Sequence, residues 1–405
     1  MPAFNAPRTA HGRGSPQLPA WVPTTAWEWT PIAGTVWTDY MKADGTGIAP
    51  DIRSSAGDPG PTWAYSAQWT YSAPTYSAAN HEMYMFGGGH TETTINCLTR
   101  WNLSLDSPTV TIVSDATSIA NRNAWLNGGA VSQGYELDGK PRSPHSYWNN
   151  QFSDSTNEFI SFGVSTTATG YPTASGGSAG STDIAACSRA GTWRAEDYYY
   201  DVQQTLSTNV RGPRVMSYDG MAIYYWDGAD ASDTATMRKW MIGTGSGAHT
   251  NVGTSVIPFY SRQAANSGGT ALVLGGADSS AGWQAKFVDL SSGAVTAVTV
   301  TGSIASGLGI WDVTWCEDQG YWLCMWVNTA AANVSSGAGV AISSVLIATI
   351  EKTGANTATA TTRTMSGTAP AQMYPLRGAF YDPTYGCVIV ATNHSQALKA
   401  IKVAA

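Results

Sequence analysis

Chemistry in a protein needs a nucleophile, a proton donor or a metal ligand in the right company, and the candidates in this chain stand far apart. The six histidines, His11, His81, His90, His145, His249 and His394, form no pair at helical or hairpin ligand spacing. The five cysteines, Cys97, Cys187, Cys316, Cys324 and Cys387, are odd in number and fit no zinc pattern, so they read as reduced core or strand thiols. Neither a metal nor a cofactor is expected. Carboxylates suited to glycoside hydrolysis, Glu82, Glu92, Glu158, Asp219, Asp312, Glu317 and Asp382, are scattered, several in turn sequences, and no acid–nucleophile pair is assigned. There is no Gly-x-Ser-x-Gly elbow and no phosphate loop. No catalytic residue is assigned, and an enzyme is the less favoured reading.

Recognition is better served. Trp125 stands in the Asn/Gly-rich stretch "NRNAWLNGG", and Trp148 and Trp311 fall near predicted strand ends. Trp beside Asn, Arg and His on loops is how sugars are held, by apolar stacking plus hydrogen bonds. Arg214 and Arg377 each precede a Tyr-Asp pair with three residues between, and Arg262 lies near the matching place in another unit. Such arginines would suit an anionic ligand. His145 precedes Trp148 in "PRSPHSYW", and His90 ends "MYMFGGGH". The candidate ligand-binding set is therefore Trp125, His145, Trp148, Arg214, Arg262, Trp311, Arg377 and His90. Each has a structural alternative: the tryptophans pack element on element, the arginines bond neighbouring carbonyls, and His90 anchors a loop.

The elements that would position these residues repeat. "RGAFYDPTYGCVIV" and "RVMSYDGMAIYYW" share one frame, a strand, a Tyr-Asp turn and a β-rich strand. "WDVTWCEDQGYWLCMW", "HSYWNNQFSDSTNEFISFG" and "SAPTYSAANHEMYMFGG" fit it, and "FYSRQAANSGGTALVLGG" fits more loosely. Further strands follow each, as in "TINCLTRWNLSL" and "GWQAKFVDLSSGAVTAVTV". Six such units, or seven, make an all-β propeller. The last unit is one strand short, so "TAWEWTPIAGT" (25–35) is expected to supply its outer strand and close the ring. Residues 1–24, with five prolines, are expected to form an extended arm, and 25–405 a single propeller domain. Gly/Ser/Thr-rich stretches at 164–186 and 328–341 read as insertions.

These residues resemble the kelch family of β-propellers, whose unit has an apolar strand ending in a Gly doublet and then a strand with spaced aromatics. "MYMFGGGH…RWNLSL" carries the likeness best, "LGGAD" repeats the doublet, and the other units depart from it with "FGVS", "YWDG", "MWVN" and "VATN". The nearest kin by this likeness are "GGGH" propellers of bacteria and tailed phages, which implies binding or building. Galactose oxidase shares the propeller, but its copper-ligand set is not matched here. "AGDPGPTW" comes within one residue of a sialidase Asp-box and reads as ordinary turn chemistry.

Composition narrows the class. Of 405 residues only 12% are charged, while 43 Gly, 17 Trp and 19 Tyr suit strands and turns. A net charge of −7 without a basic stripe argues against nucleic acid and against an anionic membrane surface. No apolar run has membrane-spanning length, and the N-terminus carries no secretory h-region. These features favour a non-enzymatic phage virion protein: a tail-fibre, receptor-binding or capsid-attached propeller. It would be made in the host cytoplasm, work in a multi-subunit assembly, and bind neighbouring virion proteins or host-surface glycan. The alternative is a sialidase-like or other glycosidase on the same scaffold.

Overall fold

The computed structural model describes residues 18–36, 73–86, 96–115, 138–141, 150–162, 184–195, 214–227, 234–243, 249–256, 261–275, 284–302, 308–327, 340–341, 345–373, 378–393 and 395–403. The fold is a six-bladed β-propeller. Blade one comprises Thr75–Ser77, Glu82–Met85, Leu98–Asn102 and Thr109–Ser114. Blade two has Asn150–Ser153, Glu158–Phe162 and Ile184–Ser188, with a fourth strand reduced to the bridge of Trp193 to Cys187. Blade three is Arg214–Met216, Ala222–Asp227, Thr234–Met241 and Thr250–Val256; blade four is Arg262–Ala265, Thr270–Gly275, Gln284–Asp289 and Val295–Ala297. Blade five is Gly309–Cys316, Tyr321–Val327, Val345–Lys352 and Thr357–Arg363. Blade six is Ala379–Asp382, Cys387–Val390, Lys399–Lys402 and the N-terminal strand Glu28–Pro31. Among the described residues no helix is long and apolar enough to cross a membrane.

The second strands read as unbroken apolar runs because both of their faces are covered. Along a strand, successive side chains point to opposite sides. In blade three Ile223 and Tyr225 join a cluster with Ile160 and Ala186 of blade two. Between them Tyr224 and Trp226 turn the other way, to Ala271 and Val273 of blade four. The core is thus a ring of six clusters, one in each gap between blades. Outer strands face solvent on more sides, and Thr357–Arg363 accordingly reads as "TATATTR".

The six hairpins that open the blades are built alike. Each places one residue in the left-handed region just ahead of its second strand: His81 (φ 54), Asn157 (58), Gly220 (70), Gly269 (74), Gly320 (69) and Gly386 (59). Where the residue is not glycine it is histidine or asparagine, types that tolerate this conformation better than most.

Closure follows the expected plan. Thr30 faces Ala400 and Pro31 faces Lys399 in an antiparallel pair, and the Trp27 and Ile32 amides donate to the Lys402 and Leu398 carbonyls at 3.0 and 2.8 Å. The folded body starts ahead of the expected boundary at residue 25. The Trp21 indole N–H is shared by the carbonyls of Leu103 and Leu105 (3.2 and 3.1 Å), its ring meets Tyr385 edge-on, and the Ala20 amide donates to Asp106. Residues 1–17 lie outside the described residues. The insertion expected over 164–186 ends earlier, since Ile184, Ala185 and Ala186 belong to the third strand of blade two, where they are buried between strands.

Candidate functional site

Five of the eight expected ligand-binding residues, Trp125, His145, Trp148, Arg377 and His90, lie outside the described residues, as does the Asp-box-like stretch 56–63. The other three are buried at the starts of first strands. Arg262 is 1% exposed and its Nε donates to the Trp311 carbonyl of the next blade at 2.7 Å. Trp311 is equally buried, in the cluster between blades five and six, against Gly378, where a Cβ would meet its ring at 2.8 Å. The Arg214 carbonyl accepts from Gln263 Nε2 at 2.6 Å, tying blade three to blade four. Asp312 completes this inner layer: its Oδ2 accepts the Gly378 and Ala379 amides of blade six at 2.6 and 2.7 Å. At this end of the first strands, Arg262 bonds a neighbouring carbonyl, the structural alternative for that residue, and Trp311 is packed rather than presented.

The opposite ends of the same strands, at the six hairpin turns, are richer. A cavity of about 190 Å³ opens there, lined by first-strand residues of blades one, two, three and six, among them Thr75, Tyr76, Phe152 and Phe380, together with Tyr218 and Asp219 of the blade-three turn. Residues from four blades meet around one opening only at the mouth of the central channel. Tyr218 is 54% exposed, so the aromatic lining reaches solvent.

Its walls are held by bonds between turns. Ser77 Oγ donates to Asp154 Oδ1 at 2.5 Å, and Asn80 Nδ2 to Asn157 Oδ1 at 3.0 Å, joining blades one and two. Ser153 and Ser155 hydroxyls both donate to the Gly220 carbonyl of blade three. At the ring's closure Asp382 is saturated. Its Oδ2 accepts Tyr76 Oη (2.6 Å) and contacts His81 Nδ1 (2.7 Å), its Oδ1 takes the Thr384 and Tyr385 amides, and the His81 ring stacks on Tyr385. Burial, with the Asp382 charge beside it, pushes the Tyr76 phenol well up, so Tyr76 serves as a neutral donor.

The electrostatics of this end are one-sided. The six turns, 78–81, 154–157, 217–221, 266–269, 317–320 and 383–386, contain no lysine or arginine and carry Asp154, Asp219, Glu317 and Asp318. The Tyr218 phenol is raised by partial burial and then by the charges of Glu317 and Asp318, which reach it from the blade-five turn. The nearby guanidinium groups of Arg189 and Arg194 are taken up by buried Glu82 and Glu158, at 2.8 and 2.5 Å. Asp154 and Asp219 each accept a serine hydroxyl and a backbone amide, Asp219 from Ser217 and Met221. Among the described residues no group of three or more His, Cys, Asp or Glu could hold a metal.

Sequence reasoning missed Tyr76, Asp154 and Tyr218 as mouth residues. The available signal was the recurring Tyr-Asp of the repeat frame, Tyr218-Asp219 and Tyr381-Asp382, which reads as turn grammar. Of the scattered carboxylates, Glu82 and Glu158 are ion-paired, Asp312 and Asp382 hold strand ends, Asp219 lines the mouth, and Glu317 accepts the Trp315 indole N–H; Glu92 lies outside the described residues.

No family model and no curated protein matches this chain. Among solved structures, TolB from Acinetobacter baumannii is similar at 11% identity and a TM-score of 0.32, over 64% of this chain and 52% of that one. Hydrazine synthase of Kuenenia stuttgartiensis is similar at 11% identity and a TM-score of 0.41, over 80% of this chain and 74% of that one. The chain thus spans about half of the TolB chain. At these values neither likeness bears on what the protein binds or does.

Proposed function

We propose that this propeller is a non-enzymatic binding module, a kelch-like virion protein of the phage "GGGH" type that works in a multi-subunit assembly and binds host-surface glycan. One observation carries the binding part: a cavity at the channel mouth whose rings, Tyr76, Phe152, Tyr218 and Phe380, sit beside polar groups. Flat apolar faces next to hydrogen-bonding groups suit a sugar ring, which has a C–H face and a hydroxyl rim. The reading is tested on a glycan array with the full chain and with Tyr218→Ala. Wild-type binding that the variant weakens at unchanged melting temperature supports it. Binding that survives unchanged moves the site elsewhere, first to the loops bearing Trp125 and Trp148. The virion assignment is tested separately, by whether the chain copurifies with a particle at fixed copy number.

A second reading, a glycosidase, draws on Asp154 and Asp219 both lining the cavity. Each carboxylate already serves as a turn cap, which favours binding over turnover. Release of fluorophore from an aryl glycoside, lost in Asp219→Asn, would instead establish the enzyme.

A further inference from the structure

The mouth's chemistry names a ligand class. We infer that the cavity takes a sugar carrying a protonated amine, a hexosamine unit of a deacetylated glycan; this rests on the glycan-binding reading and narrows it.

Four observations converge. The first is size: an opening of about 190 Å³ is room for a ring to enter. The second is charge. Asp154 and Asp219 line the cavity, the charges of Glu317 and Asp318 reach Tyr218 on its rim, and no lysine or arginine stands in any of the six turns. Such a mouth repels sialic acid, uronic acids and sulfated sugars and attracts an ammonium group. The third is the aromatic lining. The exposed Tyr218 ring offers a π-face on which a cation or the C–H face of a pyranose can rest. The fourth is Thr75. It lines the cavity and is 3% exposed, so its hydroxyl is a polar group of the cavity wall. A hydroxyl on the wall can exchange a hydrogen bond with a ligand hydroxyl. A lysine side chain would satisfy the carboxylates and the ring but brings no hydroxyl to Thr75. An amino sugar brings hydroxyls as well as the amine.

The arginines at the other end of the first strands do not argue for an anionic ligand here. Arg262 is committed to the Trp311 carbonyl, and Arg214 and Arg262 are 5% and 1% exposed.

The test is calorimetry on the full chain with a fully deacetylated chitosan tetramer, its N-acetylated counterpart, a sialylated oligosaccharide and a lysine-containing peptide. The deacetylated tetramer should bind, and the acetylated and sialylated ones should bind at least tenfold more weakly, about the worth of a charge-assisted hydrogen bond. Affinity should fall between about pH 6 and about pH 9, as an amine of this kind loses its proton. Asp219→Asn and Tyr218→Ala should each weaken binding by about tenfold, and Thr75→Val should weaken it while leaving its pH dependence in place. Since Asp219 also caps a turn, the exposed Tyr218 supplies the variant whose folding is not in question. Equal, pH-independent binding of the acetylated tetramer would overturn the amine requirement and leave glycan recognition standing. Binding of the peptide without either tetramer would overturn both. Binding of the sialylated sugar alone would place recognition away from this mouth.

Discussion

Glu82 shows what single side chains decide in this protein. It is 1% exposed between blades one and two, held by Arg189 through two contacts of 2.8 Å, by Tyr84 Oη at 2.5 Å and by Arg100 at 3.5 Å. Burial pushes its carboxyl up, but the hydrogen bonds from Arg189 and Tyr84 and the charge of Arg100 outweigh that, and the net shift is downward. A carboxyl depressed in the folded state contributes stability above its unfolded pKa, which is lost as pH falls through the folded value. Acid should therefore weaken the clasp between blades one and two below about pH 4.5, the unperturbed glutamate range. Glu82→Gln should cost about 3 kcal/mol at neutral pH, because it leaves Arg189 and Arg100 without their counter-charge, and should flatten the acid limb of a stability–pH curve. An unchanged acid limb in the variant would assign the acid sensitivity elsewhere. The cysteines act at the same scale. All five are buried and none is in a disulfide, and burial pushes Cys187 up to about 12 and Cys316, Cys324 and Cys387 higher still. A thiol reagent should find none of them in the native protein and all five in denaturant; native labelling would mean the blades open.

At the scale of the element, the hairpin turn and the blade edge use glycine for different reasons. Gly320 sits at φ 69 with nothing within 4 Å of where a Cβ would be, so Gly320→Ala meets only the backbone penalty, about 1 kcal/mol. Gly302 sits at φ 103 where the chain leaving blade four crosses to the outer edge of blade five, and a Cβ there would fall on the Ala360 carbonyl oxygen. That crossing continues Thr299–Thr301, which pairs in parallel with Thr357–Thr359 and covers the edge of the outer strand. Ser366–Gly367 does the same for blade six, pairing with Glu28 and Trp29. Gly302→Ala should thus cost clearly more than Gly320→Ala, about 2 kcal/mol or above, and expose the blade-five edge to pairing with other chains. Equal costs measured by denaturant unfolding would mean the edge cover yields without loss.

For the whole molecule, closure is the decisive feature, because each interblade cluster needs both of its blades. The N-terminal segment joins blade six through Glu28–Pro31 and blade one through Trp21 and through the Trp101 indole, which donates to the Thr35 carbonyl at 3.2 Å. Trp21→Ala should cost about 3 kcal/mol, the lower end for removing a buried Trp. Removing residues 18–35 should do more, uncovering the Lys399–Lys402 edge and the blade one–blade six cluster, so that the chain associates or loses a single cooperative transition in denaturant. A monodisperse, cooperatively unfolding deletion variant would show that the ring holds without its clasp.

The repeat frame, the six units, the missing last strand and its replacement by residues 25–35 were legible in the chain because they are local. Strand periodicity, turn residues and a strand deficit can be counted one after another. Thr75–Ser77 and Glu82–Met85 needed only "TYSAANHEMYM" to be seen as a hairpin. The mouth was not legible, because its members come from positions 75, 152, 218 and 380, and no local pattern says that four first strands point at one opening. The same blindness made Arg262 and Trp311 look like ligand residues: an arginine at a strand start reads alike whether it meets solvent or a carbonyl of the next blade. Which one it meets is decided by how six separate hairpins are arranged about a common axis, and that is set by interblade packing rather than by any residue's own neighbours in sequence.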